Sequence, residues 1–110
     1  MITVANIRTT KTGEYIGRAM SRQGLKGSPL GNPYKLSRNE QSKQGARSSA
    51  LLMYRFWLKD CLASDTPQRR EFLRLVELAR AGDLTLLCWC APESCHGDVL
   101  KQAIERYLAR

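Results

Sequence analysis

Sulfur, imidazole and carboxylate side chains are concentrated near the C-terminal end of this sequence. Three of the four cysteines and the only histidine lie within nine positions, as Cys88, Cys90, Cys95 and His96, and Asp98 follows closely. These side-chain types act in proteins as nucleophiles, proton-transfer groups and metal ligands. The segment that contains them is therefore the first candidate for a functional site.

A catalytic site at the start of a helix is one interpretation of this cluster. Cys95 and His96 precede a helical pattern, and the unpaired N–H groups and dipole at a helix N-terminus favour an anion. A thiol in that position has a lowered pKa and can act as a nucleophile, while His96 would transfer protons. Asp98 would orient the histidine or bind a ligand hydroxyl group. This interpretation predicts that Cys95, His96 and Asp98 are catalytic.

Zinc binding by Cys88, Cys90, Cys95 and His96 is a second interpretation, because three sulfurs and one imidazole form an acceptable tetrahedral set. The spacing differs from that of common zinc knuckles, and residues two apart in a strand have Cα atoms roughly 6.5–7 Å apart. The strand would therefore have to end or bend at Trp89. A third interpretation is a pocket that binds a ligand without making bonds. In the simplest interpretation, Cys88 and Cys90 pack in the core while Cys95 and His96 only begin a helix, and for Cys88 and Trp89 this core packing is favoured.

The elements that must position this cluster are a buried strand and the helix after it. Leu84 to Cys90 is apolar on both faces, which is typical of a central strand in a sheet covered by helices. The chain breaks at residues 91–94 and resumes as a helix at or just after His96. Ligands of α/β folds bind at such junctions, because the carboxyl end of the strand and the amino end of the helix converge there.

Shorter strands and a turn-rich segment are predicted in the first half of the chain. Residues 2–5 and 15–18 read as short strands. Residues 20–44 lack periodicity, and their turn residues are densest over Ser28–Pro33. Because a long segment without regular structure in a small domain is usually functional or disordered, we expect this one to be functional.

Helices with apolar faces follow. One is predicted to begin near residues 46–49, a second at Pro67 with Thr66 as its N-cap, and a third at the C-terminal end. The sequence therefore predicts an α/β fold. We expect a single small layered domain over residues 1–110, with a short, mostly parallel sheet flanked by about three helices.

Basic residues are concentrated in the first half. Residues 1–47 contain nine basic and two acidic residues and so carry +7 of the net charge of +8. This favours an anionic partner, either nucleic acid or a phosphorylated small molecule. Arg8 and Arg18 are the candidates to neutralise phosphate, and Tyr15, Ser28 and Asn32 are the further candidate ligand-binding residues. A solvated basic surface without such a partner is the simpler interpretation.

The cellular location predicted from the sequence is the cytoplasm. No apolar segment approaches the roughly 20 residues that span a bilayer, and residues 1–6 lack the features of a signal peptide. No membrane partner is expected, and the cysteines should be reduced.

Four motifs together resemble a known family. They are Val4–Arg8, Tyr15–Arg18, Ser28–Pro33 and the Cys-Trp-Cys…Cys-His-Gly-Asp motif that begins at Cys88. This succession is similar to domain of unknown function family 4326, a small family common in phages and bacteria. The resemblance covers nearly the whole chain. It implies no established activity, but it implies that the four motifs belong together and converge on one pocket.

Three functions remain open at this point. The leading hypothesis is a small domain that binds a nucleotide or a nucleic-acid fragment, either without chemistry or as an enzyme of nucleotide or nucleic-acid modification that uses Cys95, His96 and Asp98. The second is a non-catalytic, basic nucleic-acid-binding accessory protein, whose affinity would fall steeply with salt. The third is a zinc-stabilised interaction module, in which the metal is part of folding.

Overall fold

In the part of the chain that the structure describes, the fold is a three-stranded parallel sheet with three helices, two of which pack against the sheet. The computed structural model describes residues 1–20, 22, 24–34, 44–89 and 95–110. Its strands and helices, in chain order, are β1 (Ile2–Asn6), β2 (Glu14–Tyr15), α1 (Gln44–Leu62), α2 (Pro67–Ala81), β3 (Leu84–Cys88) and α3 (His96–Leu108). The predicted small α/β fold with a parallel sheet and three helices is confirmed.

The last strand in the chain is the central one in the sheet. The strand order is β1-β3-β2, and both neighbours run parallel to β3. Four of the five residues of β3 are buried, since both its faces are covered. The apolar pattern of this segment therefore predicted its position correctly. The predicted strand extended to Cys90, whereas β3 ends at Cys88, and Cys90 lies outside the described residues.

The second strand is shorter than predicted and lies earlier in the chain. It covers Glu14–Tyr15 rather than residues 15–18. The N–H of Ile16 still donates to the carbonyl of Leu87 (3.0 Å), but the carbonyl of Gly17 accepts from the N–H of Ser28 (2.9 Å). The chain therefore leaves the sheet at Gly17, because the backbone of this residue pairs with a loop instead of a strand.

The helices supply most of the core. α1 begins at Gln44, a little before the predicted start, and buries Tyr54 and Leu58. α2 begins as predicted, because the Thr66 side chain accepts from the N–H of Arg69 (3.0 Å) and Pro67 takes the first helical position. The three helices contact one another, and α2 and α3 also contact the sheet. None of the described helices has the length and apolar character required to cross a bilayer.

Candidate functional site

His96 begins α3 and is buried beneath the segment that follows β2. Only 8% of the residue is exposed, and its Nε2 lies 2.8 Å from the carbonyl oxygen of Ile16. A carbonyl oxygen can only accept, so Nε2 carries the proton and donates it. Burial lowers the pKa of His96, and the nearby Arg18 guanidinium lowers it further. The ring is therefore neutral at neutral pH and ties α3 to Ile16.

Tyr54 of α1 extends this contact to the turn-rich segment. Its ring meets the ring of His96 edge-on, with 5.3 Å between ring centroids. Its hydroxyl group donates to the carbonyl oxygen of Leu30 (2.7 Å), and Leu30 is fully buried. Burial raises the pKa of Tyr54, so the hydroxyl group stays protonated and remains a donor. The loop around Leu30 is thereby fixed against His96.

Ser28 and Asn32 shape the same loop with their side chains. The Ser28 hydroxyl oxygen accepts from the N–H of Leu30 (3.1 Å), and the side-chain amide oxygen of Asn32 accepts from the N–H of Tyr34 (2.9 Å). Both are local side-chain-to-backbone turns that hold an irregular segment in one conformation. Contact of these two residues with a base or sugar stays a prediction.

The carboxyl edge of the sheet carries an aromatic and cationic cluster. The indole N–H of Trp89 donates to the Tyr15 hydroxyl group (3.0 Å), which in turn donates to the carbonyl oxygen of Arg18 (2.7 Å). The Arg8 guanidinium carbon lies 5.4 Å from the centre of the Trp89 ring, within cation–π range. Asn6 joins the same cluster, because its amide donates to the carbonyl oxygen of Trp89 (3.1 Å).

The two described cysteines of the cluster lie side by side in the core. Cys88 Sγ and Cys95 Sγ are 3.2 Å apart, and both residues are buried. Among the residues that the structure describes, no group of three or more histidine, cysteine or acidic side chains could hold a metal ion. The Nε2 atom of His96 is engaged with Ile16 and is not free to bind zinc. Cys90, the fourth proposed zinc ligand, lies outside the described residues.

Asp98 and Gly97 explain how α3 can begin so close to the sheet. The Asp98 carboxylate accepts from the backbone N–H of Cys95 (3.0 Å) and so satisfies a donor at the start of the helix. A Cβ atom on Gly97 would lie 2.9 Å from Val4 Cγ1 and 3.2 Å from Ile16 Cδ1. The close approach of α3 to β1 therefore requires glycine. These contacts give the His-Gly-Asp sequence a structural role.

The structure brings the predicted residues together in two layers. An inner layer contains Cys95, His96 and the loop that begins at Ser28. The outer layer is the cluster at the carboxyl edge, which contains the predicted residues Arg8, Tyr15 and Arg18. Hydrogen bonds to backbone carbonyl groups join the four sequence motifs. The N–H of Ile7 donates to Cys88 (2.9 Å), the side chain of His96 donates to Ile16, and the N–H of Ser28 donates to Gly17.

Trp89, Asn6 and Tyr54 were not predicted as site residues. Trp89 was interpreted as core packing, yet it is only half-buried and carries two of the contacts of the outer layer. A tryptophan at the end of a central strand is a signal that could have been used, because a buried indole N–H needs a partner. Tyr54 was predicted only as part of an apolar helix face, and the partner of its hydroxyl group could not be read from spacing.

The chemistry available to the outer layer is recognition of an anion beside an aromatic ring. Arg8 and Arg18 are exposed, and in the described part of the chain neither makes an ion pair with a carboxylate. Guanidinium groups bind phosphate and carboxylate through paired, charge-assisted hydrogen bonds. The inner layer, in contrast, is closed by its own contacts. Catalysis by Cys95, His96 and Asp98 stays a prediction.

Comparison with known proteins was made by family, by sequence and by structure. A family model described as "Domain of unknown function (DUF4326)" matches residues 3–106. No match to this chain was found among curated proteins or among solved structures.

Proposed function

This chain belongs to the family described as Domain of unknown function (DUF4326), and we propose that it binds a nucleotide or a short nucleic-acid fragment at the carboxyl edge of its sheet. Phosphate is the chemistry shared by the two ligand types. Arg8 and Arg18 would bind the phosphate, and Trp89 and Tyr15 would form the adjoining aromatic surface.

The observation that carries this proposal is the outer-layer cluster. A continuous series of contacts runs from the Arg8 guanidinium through the Trp89 and Tyr15 side chains to the backbone carbonyl group of Arg18, whose side chain is exposed. The cluster lies where the strands of parallel sheets end, which is the usual ligand position in open α/β sheets. A flat aromatic ring and a guanidinium group suit the two parts of a nucleotide, because bases stack and phosphates pair with arginine.

The inner layer supports this proposal by fixing the outer one. His96 holds the carbonyl group of Ile16, two residues before Arg18. Tyr54 holds Leu30, and Ser28 holds Gly17, immediately before Arg18. Rigid backbone on this side lowers the entropy lost when Arg18 is ordered around a ligand. His96 is a positioning residue in this proposal.

Binding should be measured by fluorescence anisotropy with two labelled probes, a mononucleotide and a single-stranded oligonucleotide of about eight nucleotides. The Arg8→Ala/Arg18→Ala variant should weaken binding of the preferred probe by at least about tenfold, since two charge-assisted contacts are lost. A matched control is Arg70→Ala/Arg80→Ala, which removes two exposed arginines of α2 that pair with Asp65 and Glu77.

The two probes distinguish the two ligand sources. Preference for the mononucleotide with weak salt dependence would identify a small-molecule site. Preference for the oligonucleotide with a steep loss of affinity in salt would identify the nucleic-acid-binding accessory protein. The proposal is wrong if neither probe binds, or if the control variant loses as much affinity as the Arg8/Arg18 variant.

A further inference from the structure

An open groove runs between the three helices. It has a volume of about 650 Å³ and is lined by the C-terminal half of α1, the first turns of α2 and one side of α3. Its apolar lining residues, which together are called the floor, include Phe56, Leu62, Leu73, Val99 and Ala103. None of the residues that line it belongs to the cluster at the carboxyl edge of the sheet, so the groove is a separate surface.

Five basic side chains line the groove together with these apolar residues. The basic residues that line the groove are Arg55, Lys59, Arg69, Arg106 and Arg110, and among the residues that the structure describes no carboxylate side chain lines it. All five are exposed, and within the described ranges none of them is in an ion pair. The other arginines of α2 differ, because Arg70, Arg74 and Arg80 each pair with a carboxylate. The groove therefore gathers cations whose negative partners are not supplied by the described chain.

Phe56 is the clearest sign that the groove is a contact surface. This side chain lines the groove and is 62% exposed. Leu52 and Met53, one turn earlier on the same helix and outside the groove lining, are 54% and 49% exposed. A cluster of large exposed apolar side chains with a polar rim is typical of a protein-binding surface. An aromatic side chain beside arginines is also the commonest composition of an energetic hot spot.

The length of the groove fits a helix. α3 lines it from Val99 to Tyr107, which is about two turns or about 12 Å, and Arg110 follows just after the helix ends. A partner helix in such a groove places apolar residues on the floor at intervals of three and four. Its flanks would then lie against the five cations, which requires acidic residues there.

We propose that this groove binds an acidic amphipathic helix of a partner protein. A second copy of the chain fits less well, because each copy has a net charge of +8 and five cations would face five cations. Nucleic acid would satisfy the cations but would leave the apolar floor without a partner. Only an acidic helix with an apolar stripe satisfies both parts of the groove.

The probe for this proposal is a fluorescein-labelled peptide of about 15 residues, with leucine at helical spacing and glutamate at most other positions. A peptide of the same composition in scrambled order is the matched control. We expect the patterned peptide to bind with micromolar affinity and the scrambled peptide to bind at least about tenfold more weakly, because only the first presents an apolar stripe.

Two variants locate the peptide on the groove. Phe56→Ala should weaken binding by about tenfold or more, whereas Leu78→Ala, an exposed apolar residue of α2 outside the groove, should not change it. Arg55→Gln/Arg106→Gln should weaken binding and reduce its salt dependence, whereas Lys26→Gln/Arg80→Gln should not. Circular dichroism should show that each variant is folded, as expected for exposed positions.

The proposal is overturned if the patterned peptide does not bind, or binds no better than the scrambled one. It is also overturned if the Phe56 variant binds the peptide as tightly as the unaltered chain. A dimer that sedimentation detects and that Phe56→Ala dissociates would identify a second copy as the occupant, and a loss of oligonucleotide binding in the groove variants would identify nucleic acid. Because the Arg8/Arg18 variant should bind the peptide normally, failure here is distinct from failure of the proposed nucleotide site.

Discussion

At the scale of single residues, His96 is held in one state by its surroundings. Its Nε2 donates to the Ile16 carbonyl group, its ring packs against Tyr54, and 8% of the residue is exposed. A charged imidazolium in this position would lose most of its hydration, and it would face the positive charge of Arg18. His96 is therefore a neutral donor that fixes backbone rather than a group that changes charge near neutral pH.

The first prediction concerns the titration of this histidine. The pKa of His96 in the folded chain should lie below its ordinary value of 6.5, because burial disfavours the charged ring. The chain contains one histidine, so a single imidazole Cε1–H resonance in proton NMR spectra reports this pKa directly. A pKa at or above the ordinary value would contradict the buried, neutral assignment.

Stability should depend on pH in the corresponding direction. The unfolded chain binds the proton more readily than the folded chain, so the free energy of unfolding is largest above about pH 6.5 and decreases as the pH falls below it. Denaturant unfolding at about pH 7.5 and about pH 5 measures this difference. His96→Gln, which keeps an N–H donor, should show a smaller difference between the two pH values, and an equal difference would exclude His96 as its source.

The hydroxyl group of Tyr54 provides a second test at this scale. Tyr54→Phe removes the donor to the buried Leu30 carbonyl group and should lower the free energy of unfolding by about 1–3 kcal/mol. Tyr107→Phe is the matched control, because the Tyr107 ring packs against Phe72 and no hydrogen bond of its hydroxyl group is seen among the described residues. Equal losses in the two variants would show that the Tyr54–Leu30 bond contributes nothing specific.

At the scale of elements, the junction between β3 and α3 depends on how closely the helix approaches the sheet. Asp98 satisfies the backbone N–H of Cys95 at the helix start. Gly97 lets the first turn of α3 lie against Val4 of β1 and Ile16. The same short distance allows His96 to reach the Ile16 carbonyl group. The position of α3 against the sheet therefore also determines the position of the segment that follows β2.

Gly97→Ala tests this close approach. The added methyl group would lie 2.9 Å from Val4 Cγ1, a branched side chain with little freedom to move. We expect a loss of about 1–3 kcal/mol in the free energy of unfolding. Gly45→Ala, in the first turn of α1 with no neighbour within 4 Å of the new atom, should be neutral or slightly stabilising. The account is wrong if both substitutions have the same effect.

The sequence predicted elements whose pattern is local. The two apolar faces of residues 84–90 predicted the central strand, and Thr66-Pro67 predicted the start of α2. The second strand was misplaced, because its end depends on the bond between Gly17 and Ser28, which lie eleven positions apart. The suspected family is confirmed by the match over residues 3–106. The resemblance to that family implied that the four motifs converge, which periodicity alone could not predict.

The candidate site was predictable in its residue types but not in its arrangement. Arg8, Tyr15 and Arg18 were selected because they stand out chemically in the basic half. The aromatic centre of the cluster, Trp89, was assigned to the core because an apolar strand precedes it. Asp98 was expected to orient His96 or to bind a ligand hydroxyl group, and the structure adds that its carboxylate accepts from the backbone N–H of Cys95. The contacts of Trp89 and Asp98 depend on the direction of each side chain at a strand end or helix start. The spacing of residues in the sequence does not determine that direction.

At the scale of the whole molecule, two cationic surfaces lie on different elements. One is the carboxyl edge of the sheet with Arg8 and Arg18, and the other is the groove between the helices. They differ in what accompanies the charge, because the first has two polar aromatic residues and the second has an apolar floor. The molecule could therefore hold an anionic ligand and an acidic partner at once. Binding of the anionic ligand and binding of the acidic partner should each weaken as the salt concentration rises. An affinity that does not change with salt would contradict the assignment of the surface concerned.

The emission of Trp89 tests the central claim most directly, because this residue lies at the centre of the proposed nucleotide site. Trp57→Phe leaves Trp89 as the only tryptophan, and this variant should be titrated with a mononucleotide and with a short single-stranded oligonucleotide. The account predicts a saturable change in Trp89 emission with at least one of them, and loss of that change when Arg8→Ala and Arg18→Ala are added. No change with either ligand, or an equal change without the two arginines, would contradict it.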